Sequence, residues 1–182
     1  NTRKVLYKNI AEEKAKGALG RILIKVNHLT DSQVIRRIRE AADAGVQVDL
    51  IIRTTYAMLP HKNIRAISIL DRYLEHQRVY VFGTGDEARV FMSSADLMER
   101  NLDWRVEVAF PVYDPELKRE VIEIMELQTR DDTKARILDR KQGNKYANDR
   151  KATCRAQYDT HAYYAKRFAD AELSRARLLR LA

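Results

Sequence analysis

Cysteine is nearly missing from this 182-residue chain: Cys154 stands alone, which excludes an internal disulfide framework and a cysteine-based zinc site. A lone cysteine of this kind is expected to serve as a small buried hydrophobe. No apolar run approaches the length needed to cross a bilayer. The opening residues, NTRKVLYKNIAEEKAKG, lack the hydrophobic centre and cleavage pattern of a secretory signal. A soluble, cytoplasmic protein is the expectation, with membrane association of a larger assembly left open. The missing initial methionine suggests a piece of something longer. Glycine-rich phosphate loops of the Walker type and the dinucleotide fingerprint are absent, so neither common nucleotide fold is indicated. His28, His61, His76 and His161 lie far apart, without the helical spacing of metal-binding pairs, and no metal ligand is expected in this chain. Repeats and low-complexity tracts are lacking too.

The chain is 45% hydrophobic and 33% charged, which suits one compact domain, with or without an appendage. Its formal charge of +8 is unevenly placed. Residues 1–129 hold 20 Lys+Arg against 19 Asp+Glu, whereas residues 130–182 hold 14 against 7. A basic tail attracts polyanions of several kinds without distinguishing them, and a solvated helical face explains it equally.

Order along the chain predicts an α/β fold. A helix over about 5–17 precedes the strand RILIKVN. Thr30 or Asp31 caps a helix carrying Val34, Ile35, Ile38, Ala41 and Ala42 at helical spacing, and Gly45 sits where that helix ends. The strand VQVDLII follows, and this β-α-β order implies a parallel pair joined by a right-handed crossover. Arg53 comes directly after that strand, at the end where open α/β sheets bind ligands. Residues 54–63 are expected to form a loop with His61 on its surface, and IRAISI to form a third strand.

RYLEHQRVYVF reads as a strand placing His76, Arg78 and Tyr80 on one face, which on its own terms is most simply a solvated outer face. A hairpin through Gly83-Thr84-Gly85-Asp86 leads to ARVFM. Ser93-Ser94-Ala95-Asp96 then leaves the sheet, and residues 105–110 re-enter it with Arg105 and Glu107 on one face and Val106, Val108 and Phe110 on the other. Asp114-Pro115-Glu116 starts a helix whose buried stripe is Leu117, Val121, Ile124 and Met125. A loop is expected around Gly143-Asn144, and the chain ends in the helix-like ELSRARLLRL.

The polar residues in order, Arg53, His76, Arg78, Ser94 to Asp96, Arg105 and Glu107, suit phosphoryl transfer. Its transition state spreads charge over equatorial oxygens that arginines can stabilise, and a histidine can supply or take the proton on the leaving or entering oxygen. A carboxylate on the other ring nitrogen would fix tautomer and orientation, and Glu107 or Asp96 could provide it. The competing reading is that Arg105 and Glu107 merely pair with neighbouring charges on a polar sheet face.

DRYLEHQRVYVFGTG, FMSSADLMERNLDWRVEVAFPVYDPELK and RILIKVNHLTDSQVI with AADAGVQVDLIIR resemble, in register from about residue 5 to 165, the carboxyl-terminal catalytic domain of bacterial type 1 polyphosphate kinases. That family in turn resembles phospholipase D, in which two α/β halves each bring a histidine to a shared site. The pattern H-x-K, then G-S-x-N, then glutamate appears here as His76-Gln77-Arg78, Ser93-Ser94-Ala95-Asp96 and Glu107, with arginine and aspartate in the kinase form.

The resemblance implies a phospholipase D-like mixed sheet flanked by helices over 1–165, with a basic helical tail over 166–182. It implies that the full enzyme is a homo-oligomeric, magnesium-dependent phosphotransferase moving the terminal phosphate of ATP reversibly onto polyphosphate. His76 matches the second active-site histidine, a general acid that touches ATP, and Arg53 an arginine that binds ATP phosphates. Arg78, Ser94 and Asp96 fall in the same pocket. The nucleophilic histidine that becomes phosphorylated, the Mg2+ contacts and most of the adenosine pocket belong to preceding domains, so this chain alone is expected to be inactive, with no specific nucleic acid partner.

After Arg53 the chain departs from the family pattern: Thr54-Thr55-Tyr56 replaces a glycine-led, longer loop. Leu97 stands where tryptophan is common and Trp104 where arginine is. The rival readings are a phospholipase D-like phosphodiesterase or nuclease acting as a dimer, and a non-catalytic polyanion-binding module.

Overall fold

The computed structural model describes residues 2–147 and 153–181. Seven strands form one mixed sheet in the order β6-β5-β4-β1-β2-β3-β7. The strands are β1 (Arg21–Leu29), β2 (Gln47–Tyr56), β3 (Ile64–Ile69), β4 (Val79–Phe82), β5 (Arg89–Ser93), β6 (Ala109–Pro111) and β7 (Ala135–Ile137). β1, β2 and β3 run parallel, and every other pairing is antiparallel. The helices are α1 (Thr2–Ala15), α2 (Ser32–Asp43), α3 (Pro115–Thr129) and α4 (Ala156–Leu181).

Apolar strands covered on both faces need helices on both sides, and the core divides accordingly. Leu6, Ile10, Val34 and Ile38 from α1 and α2 meet Ile22, Ile24, Leu50, Ile52, Tyr80 and Phe82 on one face. On the other, Met125 of α3 and Ala156 of α4 meet Leu23, Ile51, Ile67, Val79 and Val81. Of the two residues expected to cap α2, Asp31 does so, accepting from the Val34 N–H at 2.8 Å. Asp114 caps α3, accepting from the Glu116 and Leu117 N–H groups at 2.9 Å each. Gly45 ends the α2 turn with φ +105°, a backbone conformation that favours glycine.

Several local expectations are corrected. β2 does not stop at Ile52 but continues to Tyr56, so Arg53 lies inside the strand and the connection to β3 is only 57–63. His61 is not a free surface histidine: its side chain is 11% exposed, its Nδ1 accepts from the Asn63 N–H, and its Nε2–H therefore faces Asp43 at 3.1 Å. β4 starts at Val79, leaving His76 and Arg78 in an irregular segment before it. Residues 105–108 form no strand, and the apolar alternation there is solvent-facing, with Val106 fully exposed. Alternation reports a repeat of side-chain type, and here no strand or core among the described residues stands opposite it. Leu117 is likewise exposed, because it sits on the outer side of the first turn of α3. Cys154 is half-buried and points its thiol at the Leu127 carbonyl; burial pushes that thiol up to about 12.

The last third of the chain is tied to the body by acids. Asp131 is fully buried, and its Oδ1 accepts from the N–H groups of Thr133, Lys134 and Ala135 while Oδ2 accepts from Ala156. One carboxylate thus starts β7 and α4 together. α4 then lies along α3, with Tyr164 and Arg167 on Glu120, and runs unbroken through residue 165, where a tail was expected to begin. Asp131→Ala takes the acceptor from the buried Ala135 and Ala156 N–H groups and the half-buried Lys134 N–H, while the Thr133 N–H keeps the Cys154 carbonyl, so a loss of about 2–5 kcal/mol of unfolding free energy is expected in chemical denaturation. A loss below about 1 kcal/mol would show that the carboxylate is dispensable.

Candidate functional site

The carboxyl ends of β1, β2 and β5 and the amino end of β4 meet at one edge of the sheet, because β4 runs against both of its neighbours. Asp96, on the turn that leaves β5, closes this edge. Its Oδ1 accepts from the Asn27 N–H at 2.7 Å and the His28 N–H at 3.2 Å, and its Oδ2 accepts from Arg78 Nη2 at 2.9 Å. The turn also pairs with β1 through the Leu97 N–H and the His28 carbonyl. Burial works to raise the Asp96 pKa, but the Arg78 guanidinium and the backbone N–H groups outweigh it and hold the carboxyl below the usual range. Tyr80, buried beneath the same turn, donates to the Ala95 carbonyl at 3.0 Å, and burial pushes its phenol upward.

Arg78 faces two ways. One side pairs with Asp96; on the other, Nη1 lies 3.1 Å from His76 Nδ1 and Nη2 lies 3.1 Å from His76 Nε2. Both guanidinium nitrogens thus lie against the imidazole, and Nη1 also donates to the His76 carbonyl at 3.3 Å. The imidazole remains exposed, on the wall of a cleft of about 540 Å³ that also holds Gln128, Gln157, His161 and Tyr164.

Neither carboxylate expected to orient His76 touches it. Asp96 is spent on Arg78 and β1, and Glu107 binds the Ser94 hydroxyl and, at 2.7 Å, the Asn101 amide. Ser94 in turn accepts from the Val108 N–H, so Ser94 and Glu107 brace the turn that carries Asp96. Arg105 is exposed to solvent.

Arg53 reaches the same place from β2. Its Nη1 donates to the Glu75 carbonyl, the residue immediately before His76, and its own carbonyl accepts from the Ser68 hydroxyl at 3.0 Å. The structure therefore brings Arg53, His76 and Arg78 together, with Asp96 behind Arg78 and Ser94 and Glu107 behind Asp96.

The residue that sequence reasoning missed is Lys25. It is 4% exposed in the middle of β1, where Nζ pairs with the Glu75 carboxylate and donates to Gln128 Oε1 at 2.6 Å. Burial lowers its pKa and Glu75 opposes this, the net direction being downward. A charge inside RILIKVN, a strand otherwise built for burial, was the available signal. Lys25→Met would leave the Glu75 carboxylate without its cation, and a loss of about 3–5 kcal/mol is expected. Lys25→Met with Glu75→Gln should recover most of it, as thermal and denaturant unfolding would show. For Asp96, a lowered folded-state pKa means stabilisation that is present above the ordinary carboxyl range and lost as pH falls through the folded value. Asp96→Asn should accordingly be less stable than wild type at pH 7, with the gap closing below about pH 4.

The family model for polyphosphate kinase C-terminal domain 2 matches residues 1–157. Polyphosphate kinase from Salmonella typhimurium is 44% identical over 154 residues, covering 80% of this chain and 22% of that protein. The crystal structure of polyphosphate kinase from Porphyromonas gingivalis superposes with a TM-score of 0.83 at 39% identity, over 90% of this chain and 26% of that one. A phospholipase D family member from Salmonella typhimurium, Nuc, shares the fold at 15% identity and a TM-score of 0.56, over 75% of this chain and 90% of its own. This chain thus spans about a quarter of the length of the kinases it matches. With a model match over most of its length and a shared mixed-sheet fold, the chain belongs to the polyphosphate kinase family, as its C-terminal domain 2.

Proposed function

We propose that this domain supplies one half of a phosphotransfer site that moves the terminal phosphate of ATP reversibly onto polyphosphate, the phosphate-carrying histidine standing in a preceding domain. The observation that carries this reading is the exposed His76 imidazole lying against the Arg78 guanidinium, with Arg53 bound to the backbone carbonyl one residue before it. Two guanidinium groups beside one proton-transfer group match what phosphoryl transfer requires: positioned cations for the equatorial oxygens and a proton for the departing oxygen.

In this mechanism Arg53 binds the ATP phosphates with the donors that Glu75 leaves free. His76, whose imidazole faces solvent, gives a ring proton to the oxygen that leaves the transferred phosphate and recovers it in the reverse direction. Arg78 has its charge partly neutralised by Asp96, so its main task is to hold the imidazole plane. Ser94 and Glu107 act through the Asp96 turn, as positioning residues rather than as contacts of the ring.

Magnesium finds no ligand set in this half. Asp96, Glu107 and Glu75 are each committed to cations, amides or hydroxyls, and no cluster of three metal-binding side chains occurs among the described residues. Magnesium with ATP would have to be held by other domains of the full-length protein, which we take to be a homo-oligomer.

The test is polyphosphate synthesis from ATP by the full-length enzyme. His76→Ala should lower kcat by about 10²–10⁴-fold, the usual range for a lost acid-base group. Arg53→Ala should raise the KM for ATP by at least about tenfold. Synthesis at the wild-type rate by both variants would sink the site assignment. Turnover of phosphodiester substrates dependent on His76 would instead favour a phospholipase D-like hydrolase.

A further inference from the structure

Two buried polar side chains hold the residues on either side of His76. Lys25, in the middle of β1, and Gln128, in the last turn of α3, are 4% and 2% exposed, and the Lys25 ammonium donates to Gln128 Oε1 at 2.6 Å. Lys25 also pairs with the Glu75 carboxylate, and Gln128 Nε2 donates to Gln77 Oε1 at 3.4 Å. The Gln128 amide thus uses both of its ends, its oxygen on the lysine that holds residue 75 and its nitrogen on residue 77. His76, the residue between these two, is exposed.

Stability alone does not account for the pair. Taking an ammonium out of water is costly, and a buried ion pair is often no more stabilising than apolar residues of the same volume. Leu23, two residues earlier on the same face of β1, lies in the apolar cluster that α3 covers, so aliphatic side chains pack well at this level of the sheet. What an aliphatic side chain cannot do is hold a direction, because apolar burial is non-directional whereas a hydrogen bond prefers one line of approach. The other restraints on this segment act elsewhere: Arg155 holds Asp71, Gln157 holds the Tyr73 backbone, and Arg53 holds the Glu75 carbonyl. Only Lys25 and Gln128 grip the side chains that flank His76, and two fixed neighbours fix the Cα between them and the direction of its Cβ.

We propose that Lys25 and Gln128 are positioning residues for phosphotransfer, a clamp built from β1 and α3 that sets where the His76 imidazole stands against Arg78. The inference rests on the reading of His76 as the proton donor and deepens it. Misplacing a reacting group by about 1 Å can cost on the order of 10²-fold in rate, so the clamp acts on kcat. Arg53 donates to the Glu75 carbonyl and to neither clamp residue, so the binding of ATP is spared.

The test is polyphosphate synthesis from ATP by the full-length enzyme, each variant being checked by thermal unfolding. Gln128→Leu keeps the volume and removes both bonds, and kcat should fall at least about tenfold with the KM for ATP within about twofold of wild type. Gln77→Ala, at an exposed position where folding is not at stake, should lower kcat at least about threefold, and combining it with Gln128→Leu should cost less than about twofold more. In the His76→Ala background, Gln128→Leu should likewise cost less than about twofold further, since nothing remains to be positioned. Lys25→Met with Glu75→Gln should regain stability and yet keep kcat about tenfold down. The full loss persisting in the His76→Ala background would make Gln128 merely structural and overturn the clamp. A wild-type kcat in Gln77→Ala, or in the stability-restored double variant, would overturn it as well. Where Gln128→Leu fails to fold, Gln77→Ala, alone and with His76→Ala, decides by the same criteria. Synthesis at the wild-type rate by His76→Ala would instead remove the phosphotransfer reading, and the clamp with it.

Discussion

The segment between Ile69 and Val79 has neither helix nor strand to hold it, and everything the site does depends on the side chains that pin it from outside. Lys25 holds Glu75 from β1, Arg53 holds the Glu75 carbonyl, and Asp96 holds Arg78. At the other end Arg155 forks onto Asp71, and the Gln157 amide bonds both the N–H and the carbonyl of Tyr73. Such a segment has the geometry of a loop and the restraint of a strand. Backbone groups that the sheet cannot satisfy are met by side chains from β1, β2, α4 and the β5 turn.

That arrangement explains which features could be seen in the sequence. The β-α-β order, the caps Asp31 and Asp114 and the hairpin after β4 are local, since each is specified by residues within a few positions of one another. Arg53, His76 and Arg78 were legible from residue type as candidates for one polar site. What was not legible was which polar residue faces which. Glu107 was expected on the imidazole and instead supports Ser94, because residues 105–108 never join the sheet that would have carried the carboxylate across. Lys25 and Asp131 were passed over for a related reason: the charge inside RILIKVN was visible, but its partner Glu75 lies 50 residues on, and the bond by which Asp131 fastens α4 reaches Ala156, 25 residues on.

Charge in this domain is sorted by task. Ion pairs with carboxylates occur where arginine stabilises architecture, as at Arg3, Arg89 and Arg155. Where arginine faces an opening, backbone carbonyls take the place of carboxylates, as at Arg53 and Arg136. A carbonyl fixes the direction of a guanidinium without cancelling its charge. The formal +8 is therefore less informative as a sum than as a map of which cations remain uncompensated.

The clasp between Arg155 and Asp71 joins residues 84 positions apart, and so does the one between Gln157 and Tyr73. During synthesis the strands and the segment bearing His76 leave the ribosome well before the groups that fasten it. A nascent chain can thus assemble its sheet while the segment bearing His76 is still loosely held, and the geometry of that segment is completed only when the start of α4 arrives. The order of translation itself delays the moment at which the proposed site is complete.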